Sequence, residues 1–227
     1  MEDLTRPLLW MNIKQTFREA KPFNHVVIDD FFHEDIALDI ANEFPDFHDK
    51  GLGEYDHTFG RKKVTNSWDR FGKYTYQAFS FLGREYFIDK MKYLLDEQEL
   101  WLDYGLNGGG LHMHGTGGAL NVHLDYNLHP KLDEQRKLNI IIYMTPNWNP
   151  EWGGGLEIWS AKEDTGRPKE HVATIENRFN RAVIFDTTQN SWHGFQNYLT
   201  CPEGVYRRSL AAYFVRPARE GTDPRGK

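Results

Sequence analysis

The spacing of apolar residues divides the chain into a helical first part and a β-rich remainder. Between Glu34 and Phe44 the apolar positions fall on one face of a helix, and Pro45 marks its end. A second helix is predicted from about Tyr76 to Leu95, with an interruption at Gly83 left open. We expect both helices to pack against a core and not to form a functional site.

After Leu100 the chain changes to short apolar runs that are separated by glycine, proline and asparagine. Many short strands with such breaks are typical of a β-sandwich, a barrel or a jelly roll. The predicted strands are Leu111 to His114, Leu120 to His123, Leu138 to Met144, Leu156 to Trp159, Val172 to Ile175, Arg181 to Phe185 and Ser209 to Val215.

Length and composition indicate a single domain. The 227 residues are 39% hydrophobic and 15% aromatic, which is enough to bury one sizeable core without a second. Within the domain 1–227 we distinguish a helical support region, 1–105, a β-rich core, 106–218, and a polar, glycine- and proline-rich tail, 219–227.

Charge argues against polyanionic partners. The formal net charge is −6, and the basic cluster Arg61-Lys62-Lys63 is expected to be a solvated loop, so we predict no nucleic-acid binding. The longest apolar stretch, Ile140 to Met144, is too short to span a bilayer, and the acidic N-terminus lacks the layout of a signal peptide. These features predict a soluble, cytoplasmic protein with no membrane partner. The sequence carries no signal for the oligomeric state.

The single cysteine, Cys201, limits the metal chemistry. It can form no internal disulfide and no cysteine-based zinc site. Any metal site must therefore use histidine and carboxylate ligands.

One such set is His123 and Asp125 with the distant His193. A His-x-Asp pair on a strand places both side chains on one face, and a further histidine can complete a two-histidine, one-carboxylate iron(II) site with open positions. The motif alone is weak, because His33 and Asp35 form a second copy. That second copy lies where a helix begins, and acidic residues there suit the helix dipole.

A competing metal site would use histidines alone. His112 and His114 share one face of a predicted strand and could join His123 or His193. If they bind no metal, these two histidines form a polar face at the edge of the sheet. The neighbouring glycines, Gly108 to Gly110, suggest turns and not phosphate binding, because no helix follows them.

Several motifs in order make a family resemblance specific. They are GGALNVHLDYN, RKLNIIIYMTPNW, WGGGLEIW, NRAVIFDTTQNSWHGF and YRRSLAAYF. From about Gly108 to Val215 the chain resembles the prolyl 4-hydroxylase-like branch of the iron(II)/2-oxoglutarate-dependent oxygenases. The resemblance implies a mainly β (α+β) fold, a cupin-like double-stranded β-helix or jelly roll with supporting N-terminal α-helices.

The resemblance also implies roles for individual residues. His123, Asp125 and His193 would hold Fe(II), and these same residues would form the catalytic centre. Arg207 would bind the distal carboxylate of 2-oxoglutarate, a task that suits its planar fork. Arg208 is a rival for that role, although strand alternation turns it outward if Arg207 faces inward.

Two further residues of one strand are cosubstrate candidates. Tyr143 matches a family tyrosine whose hydroxyl contacts 2-oxoglutarate; the alternative is an ordinary core aromatic. Asn139 should face the same side and could add a polar contact.

The implied activity is hydroxylation of an unactivated C–H bond with 2-oxoglutarate and dioxygen as cosubstrates. The family likeness favours a prolyl residue of a protein or peptide. A free amino acid, a sugar or another small metabolite remains an alternative substrate, and a non-enzymatic jelly-roll module that binds a metal or ligand remains an alternative class. The region 45–74, rich in charged and aromatic residues, is a candidate lid or substrate groove.

Overall fold

A computed structural model describes residues 3–57 and 60–223 of the chain; residues 224–227 of the predicted tail lie outside the described part. The described helices are α1 (Trp10–Glu19), α2 (Glu34–Asn42), α3 (Lys73–Leu82) and α4 (Glu85–Leu95), with short 3-10 turns at Trp68–Arg70 and Pro150–Trp152. The described strands are β1 (His25–Ile28), β2 (Gly53–His57), β3 (Gly60–Thr65), β4 (Trp101–Leu102), β5 (Gly110–His114), β6 (Leu120–His123), β7 (Glu134–Tyr143), β8 (Leu156–Ala161), β9 (Pro168–Ile175), β10 (Ala182–Asp186), β11 (His193–Phe195) and β12 (Arg207–Pro217).

The strands form two antiparallel layers. One layer has the order β1-β10-β7-β12-β5, and the other has the order β6-β11-β8-β9. Strand β3 connects the two layers at one edge, since it pairs with β5 and meets β6 at Gly60 and Leu120. This arrangement is the double-stranded β-helix that the family resemblance implied.

Strand β7 is apolar on both faces because both faces are covered. Leu138, Ile140 and Ile142 lie in the large core cluster with the helices, while Tyr143 packs in a smaller cluster between the two layers. Since alternate residues of a strand point to opposite faces, the polar Asn139 faces the interior of the jelly roll with Tyr143. The helices therefore support one layer from outside and leave its inner face to the site.

The N-terminal region contains the predicted helices together with strands. The helix predicted at 76–95 is interrupted at Gly83, the option that the sequence left open: the chain turns at Gly83 and Arg84 between α3 and α4. The region 1–105 is also not purely helical: it supplies β1 to the edge of one layer and the β2–β3 hairpin to the junction of both.

The expectation of a solvated loop at Arg61-Lys62-Lys63 was wrong. These residues lie on β3, where Lys63 pairs with Met113 of β5. The short basic cluster has no alternating apolar pattern, so only its pairing with β5 reveals the strand.

The end of the described chain is held by specific contacts. The Asn127 side-chain amide donates to the Asp223 carbonyl oxygen over 2.6 Å, and Arg219 forms an ion pair with Glu97 at 2.8 Å. Cys201 is a buried free thiol. Within residues 3–57 and 60–223, no helix has the length and apolar character required to cross a membrane.

Candidate active site

Two paired strands bring the predicted ligands together. His123 ends β6 and His193 begins β11, and the two residues are direct partners in the antiparallel ladder. Asp125 follows β6 by two residues. Its Oδ1 lies 3.7 Å from His123 Nε2, and its Oδ2 lies 3.9 Å from His193 Nε2. One ligand atom from each residue falls within 4.8 Å of the others, a spacing that a single metal ion can bridge.

Backbone carbonyls orient both imidazoles toward the carboxylate. His123 Nδ1 lies 2.7 Å from the Asn121 oxygen, and His193 Nδ1 lies 2.8 Å from the Ser191 oxygen. A carbonyl oxygen can only accept, so Nδ1 carries the proton in each ring. Each Nε2 lone pair is therefore available to a metal ion, as in most histidine metal sites.

Both oxygens of Asp125 are held by neighbouring side chains. The Tyr213 hydroxyl donates to Oδ1 over 2.7 Å, and the Asn139 amide donates to Oδ2 over 3.0 Å. Burial alone raises the pKa of this carboxyl group, but the nearby His193 and His123 and the Tyr213 hydroxyl lower it, and the net result is a pKa well below the usual range. The group is therefore an ionised carboxylate.

Asn139 and Tyr213 are direct partners across β7 and β12. Their shared inward face explains how both reach Asp125. Alternation along β12 from Arg207 puts Tyr213 on this face. Sequence reasoning assigned Asn139 to the cosubstrate, whereas in the structure its amide N–H donates to the carboxylate. Arg136 lies over the Tyr213 ring, with its guanidinium carbon 4.0 Å from the ring centroid, and fixes the ring from the other side.

Arg207 lies at the opposite end of the same inward face. Its guanidinium carbon is 5.0 Å from the centroid of the Tyr143 ring and 4.7 Å from that of Phe195. Its Nε donates to the Gly154 oxygen over 2.7 Å. Gly154 has φ +76°, and a Cβ there would lie 2.8 Å from Arg207 Cδ, so the glycine-rich WGGGLEIW segment makes room for this side chain.

Arg208 points away from the interior between the two strand layers, which we call the cavity. Its Nη1 donates to the Ala41 oxygen of α2 over 3.4 Å, and its guanidinium lies against the Phe44 ring. Strand alternation therefore has the predicted register, with Arg207 inward and Arg208 toward the helices.

Tyr143 is fully buried beside Arg207. Burial raises the pKa of its hydroxyl, and the Arg207 charge opposes the rise. The Arg207 guanidinium and the Tyr143 hydroxyl group therefore interact at this end of the site.

The alternative histidine sets do not converge. Over the described part of the chain, the group able to hold a metal ion consists of His123, Asp125 and His193. His112 instead has its Nε2 3.2 Å from the Gly109 oxygen, and His114 lies elsewhere on the cavity wall. Sequence reasoning placed Lys62 in a solvated loop and gave it no role here, but β3 brings it close enough to Asp125 and Arg207 for their charges to affect it.

Comparison with known proteins agrees with this geometry. Residues 109–215 match the model of the 2OG-Fe(II) oxygenase superfamily. The chain is 28% identical over 85 residues to mouse Prolyl 3-hydroxylase OGFOD1 and 30% identical over 81 residues to the Xenopus laevis protein of that name. These matches cover 37% and 36% of this chain but only 15% of either relative.

Among solved structures, a Pseudomonas putida prolyl-4-hydroxylase superposes with a TM-score of 0.61 at 15% identity, covering 91% of this chain and 100% of that one. A prolyl hydroxylase from Trichoplax adhaerens, in complex with a hypoxia inducible factor peptide fragment, gives 0.57 at 13% identity and covers 91% and 90%. Fold, motif order and site geometry agree. The match to the 2OG-Fe(II) oxygenase superfamily, whose members use Fe(II), 2-oxoglutarate and dioxygen, lies in residues 109–215, the part of the chain that forms the β-rich core.

Proposed function

We propose that this protein is an Fe(II)- and 2-oxoglutarate-dependent hydroxylase that acts on a prolyl residue of a protein or peptide. The observation that carries the proposal is the convergence of His123 Nε2, His193 Nε2 and the Asp125 carboxylate within 4.8 Å. Two imidazoles and one carboxylate are the donor set of the non-haem iron oxygenases, and they leave positions open for small molecules. The site fits the metal that the family uses.

The chain's own residues prepare the site before any metal binds. The Asn121 and Ser191 carbonyls fix the tautomer of the two histidines, and Tyr213 and Asn139 fix the plane of the Asp125 carboxylate. When bound, the iron with 2-oxoglutarate and dioxygen supplies the oxidising power that breaks an unactivated C–H bond. The protein's task is to hold these groups in place and to keep bulk water out.

Arg207 is the proposed anchor for the distal carboxylate of 2-oxoglutarate. It is buried and faces the same cavity as Asp125, and its Nε is already used on Gly154. The two terminal amino groups remain, and their parallel geometry suits a carboxylate. Tyr143 adds a hydroxyl at the same end of the cavity. Asn139 donates one amide N–H to Asp125, so any contact with the cosubstrate would use its second N–H, because 2-oxoglutarate offers only acceptors.

A surface cavity of about 290 Å³ supports a peptide substrate. Its lining includes Lys62, which the charges of Asp125 and Arg207 affect, and the rings of Phe47 and Tyr206, stacked with centroids 4.3 Å apart. Aromatic-lined grooves are the usual surface for proline-containing segments. Phe47 belongs to the region 45–74, for which we keep the predicted role of substrate groove.

The deciding experiment is an anaerobic titration of wild type and Asp125→Ala with Fe(II) and 2-oxoglutarate. We expect a visible metal-to-ligand charge-transfer band that depends on Asp125. No band in folded wild type that retains metal binding would favour a binding module over an enzyme.

A second experiment tests the substrate. Proline-containing peptides and free amino acids are incubated with the complete system, and products are identified by a mass gain of one oxygen atom. Hydroxylation of peptides alone supports the proposal, whereas hydroxylation of free amino acids would replace it with the small-metabolite alternative.

Other parts of the sequence prediction also stay proposals. They are the single domain 1–227 with its three parts, the cytoplasmic location, and the lack of nucleic-acid or membrane partners.

A further inference from the structure

A row of basic side chains crosses three neighbouring strands on the cavity wall. Arg207 of β12 is the direct partner of His114 in β5. Lys63 of β3 is the direct partner of Met113, so Lys62 stands opposite His114 on the other side. Residues that lie opposite each other in antiparallel strands project from the same face. Lys62, His114 and Arg207 therefore form one transverse row.

His114 is the central and least satisfied member of this row. Its side chain is 2% exposed, and neither Nδ1 nor Nε2 has a hydrogen-bond partner among the described residues. A buried imidazole that leaves its N–H without a partner destabilises the fold, so such a group usually has a ligand or a partner. Its neighbour on the same face, His112, differs in this respect, because its Nε2 is within reach of the Gly109 oxygen.

The ring of Phe195 places His114 beside Arg207. The His114 ring meets Phe195 edge-on with centroids 5.1 Å apart, and the Arg207 guanidinium lies 4.7 Å from the centroid of that same ring. Burial first, and then the charges of Arg207 and Lys62, hold the pKa of His114 well below its usual range. A neutral imidazole in this position offers one N–H donor next to the guanidinium.

We propose that His114 is a further binding residue for the distal carboxylate of 2-oxoglutarate, to which it donates one N–H beside the Arg207 fork. This inference rests on the proposed function, in which Arg207 binds that carboxylate. A carboxylate has two oxygens with about four acceptor sites, and the two parallel hydrogen bonds from the Arg207 fork use only two of them. Lys62 adds a second positive charge at the end of the row.

The test compares two 2-oxo acids in an anaerobic titration of Fe(II)-loaded protein. One is 2-oxoglutarate, and the other is 2-oxopentanoate, which has the same chelating end and the same chain length but no distal carboxylate. The dissociation constant of each is read from the charge-transfer band, independently of turnover. Replacing a residue that contacts the distal carboxylate raises the dissociation constant of 2-oxoglutarate and leaves that of 2-oxopentanoate unchanged.

The variant is His114→Phe, which keeps an aromatic ring against Phe195 and removes both nitrogens. We expect its dissociation constant for 2-oxoglutarate to rise roughly tenfold, the effect of one hydrogen bond to a charged group, while that for 2-oxopentanoate stays unchanged. His112→Phe is the matched control on the same strand and face, and it should affect both ligands equally. Lys62→Met should weaken 2-oxoglutarate selectively too.

The alternatives give different results. If the dissociation constant for 2-oxoglutarate is unchanged in His114→Phe, water satisfies the imidazole and the inference is overturned. If the affinities for both ligands fall equally, the substitution has changed the shape of the cavity in general, which also overturns the inference. If wild type gives no band with either acid, the proposed function itself fails and the inference with it. If His114→Phe does not fold, His114→Leu is titrated in the same way and judged by the same selectivity.

Discussion

The hydroxyl group of Tyr213 is predicted to hold the Asp125 carboxylate, the proposed iron ligand, in place. It donates to Asp125 Oδ1 over 2.7 Å, and both residues are buried. Tyr213→Phe removes this donor and leaves the ring, its stacking with Arg136 and its packing intact. The change therefore isolates a single hydrogen bond that contacts a metal ligand and not the metal.

The expected magnitude follows from the strength of that bond. A hydrogen bond to a charged group contributes about 1.5–3 kcal/mol, which corresponds to a factor of about 10 to 150 in a binding constant. Loss of a group that supports a metal ligand lowers metal affinity by about 10- to 100-fold. Asn139 still donates to the second oxygen of Asp125, so we expect the lower end, about tenfold.

Calorimetric titration with Co(II), an air-stable substitute for Fe(II), measures the effect. Tyr86→Phe is the matched control, since its hydroxyl also donates to a carboxylate, that of Asp3 at 2.8 Å, but far from the site and in solvent. The control should bind Co(II) like wild type. If Tyr213→Phe shows wild-type affinity while near-ultraviolet circular dichroism confirms the fold, Asp125 needs no support and the reasoning is wrong.

Three further predictions follow from the same geometry. Arg207→Ala should weaken 2-oxoglutarate binding by about 10- to 100-fold and Arg208→Ala should leave it near wild type, as measured by the anaerobic band; equal losses would contradict the strand register. Gly154→Ala should lower the free energy of unfolding by about 1–3 kcal/mol in a urea titration and should also weaken 2-oxoglutarate binding. Gly117 has φ +73° but open space where a Cβ would lie, so Gly117→Ala should lower the free energy of unfolding through backbone strain alone and leave 2-oxoglutarate binding unchanged. The metal-free protein should lose stability as pH falls below about 6.5. Burial lowers the pKa of His193 to about 4, with the nearby His123 adding to this, and burial also holds the pKa of His114 below its usual range, so the unfolded chain takes up protons that the folded chain cannot. A melting temperature that stays constant from pH 6.5 down to about 4 would refute this.

Local patterns were sufficient for most of the β core. The strands predicted after Leu100 all occur, at positions close to those expected, because a buried strand needs a short apolar run and a turn residue at each end. Strand β11, which carries His193, was not predicted, since its three residues are too short for any periodicity. The β2–β3 hairpin was missed for a related reason: β3 is polar, and its partners lie far away in sequence.

The sequence by itself determined which residues are the candidate ligands. His-x-Asp at a strand end, a distant histidine and an arginine opening the last strand are sequence features, and their order carried the family resemblance. Alternation along one strand also separated Arg207 from Arg208, because this period depends on nothing outside the strand.

Only the tertiary structure decided what surrounds these ligands. Tyr213 meets Asp125 and His114 meets Arg207 because strands remote in sequence pair in one particular register, and a shift of one residue would turn each of these side chains to the other face. Lys62 reaches the cavity wall only because β3 joins the two layers. Contacts of this kind depend on the relative position of separate strands, which no local pattern of residues encodes.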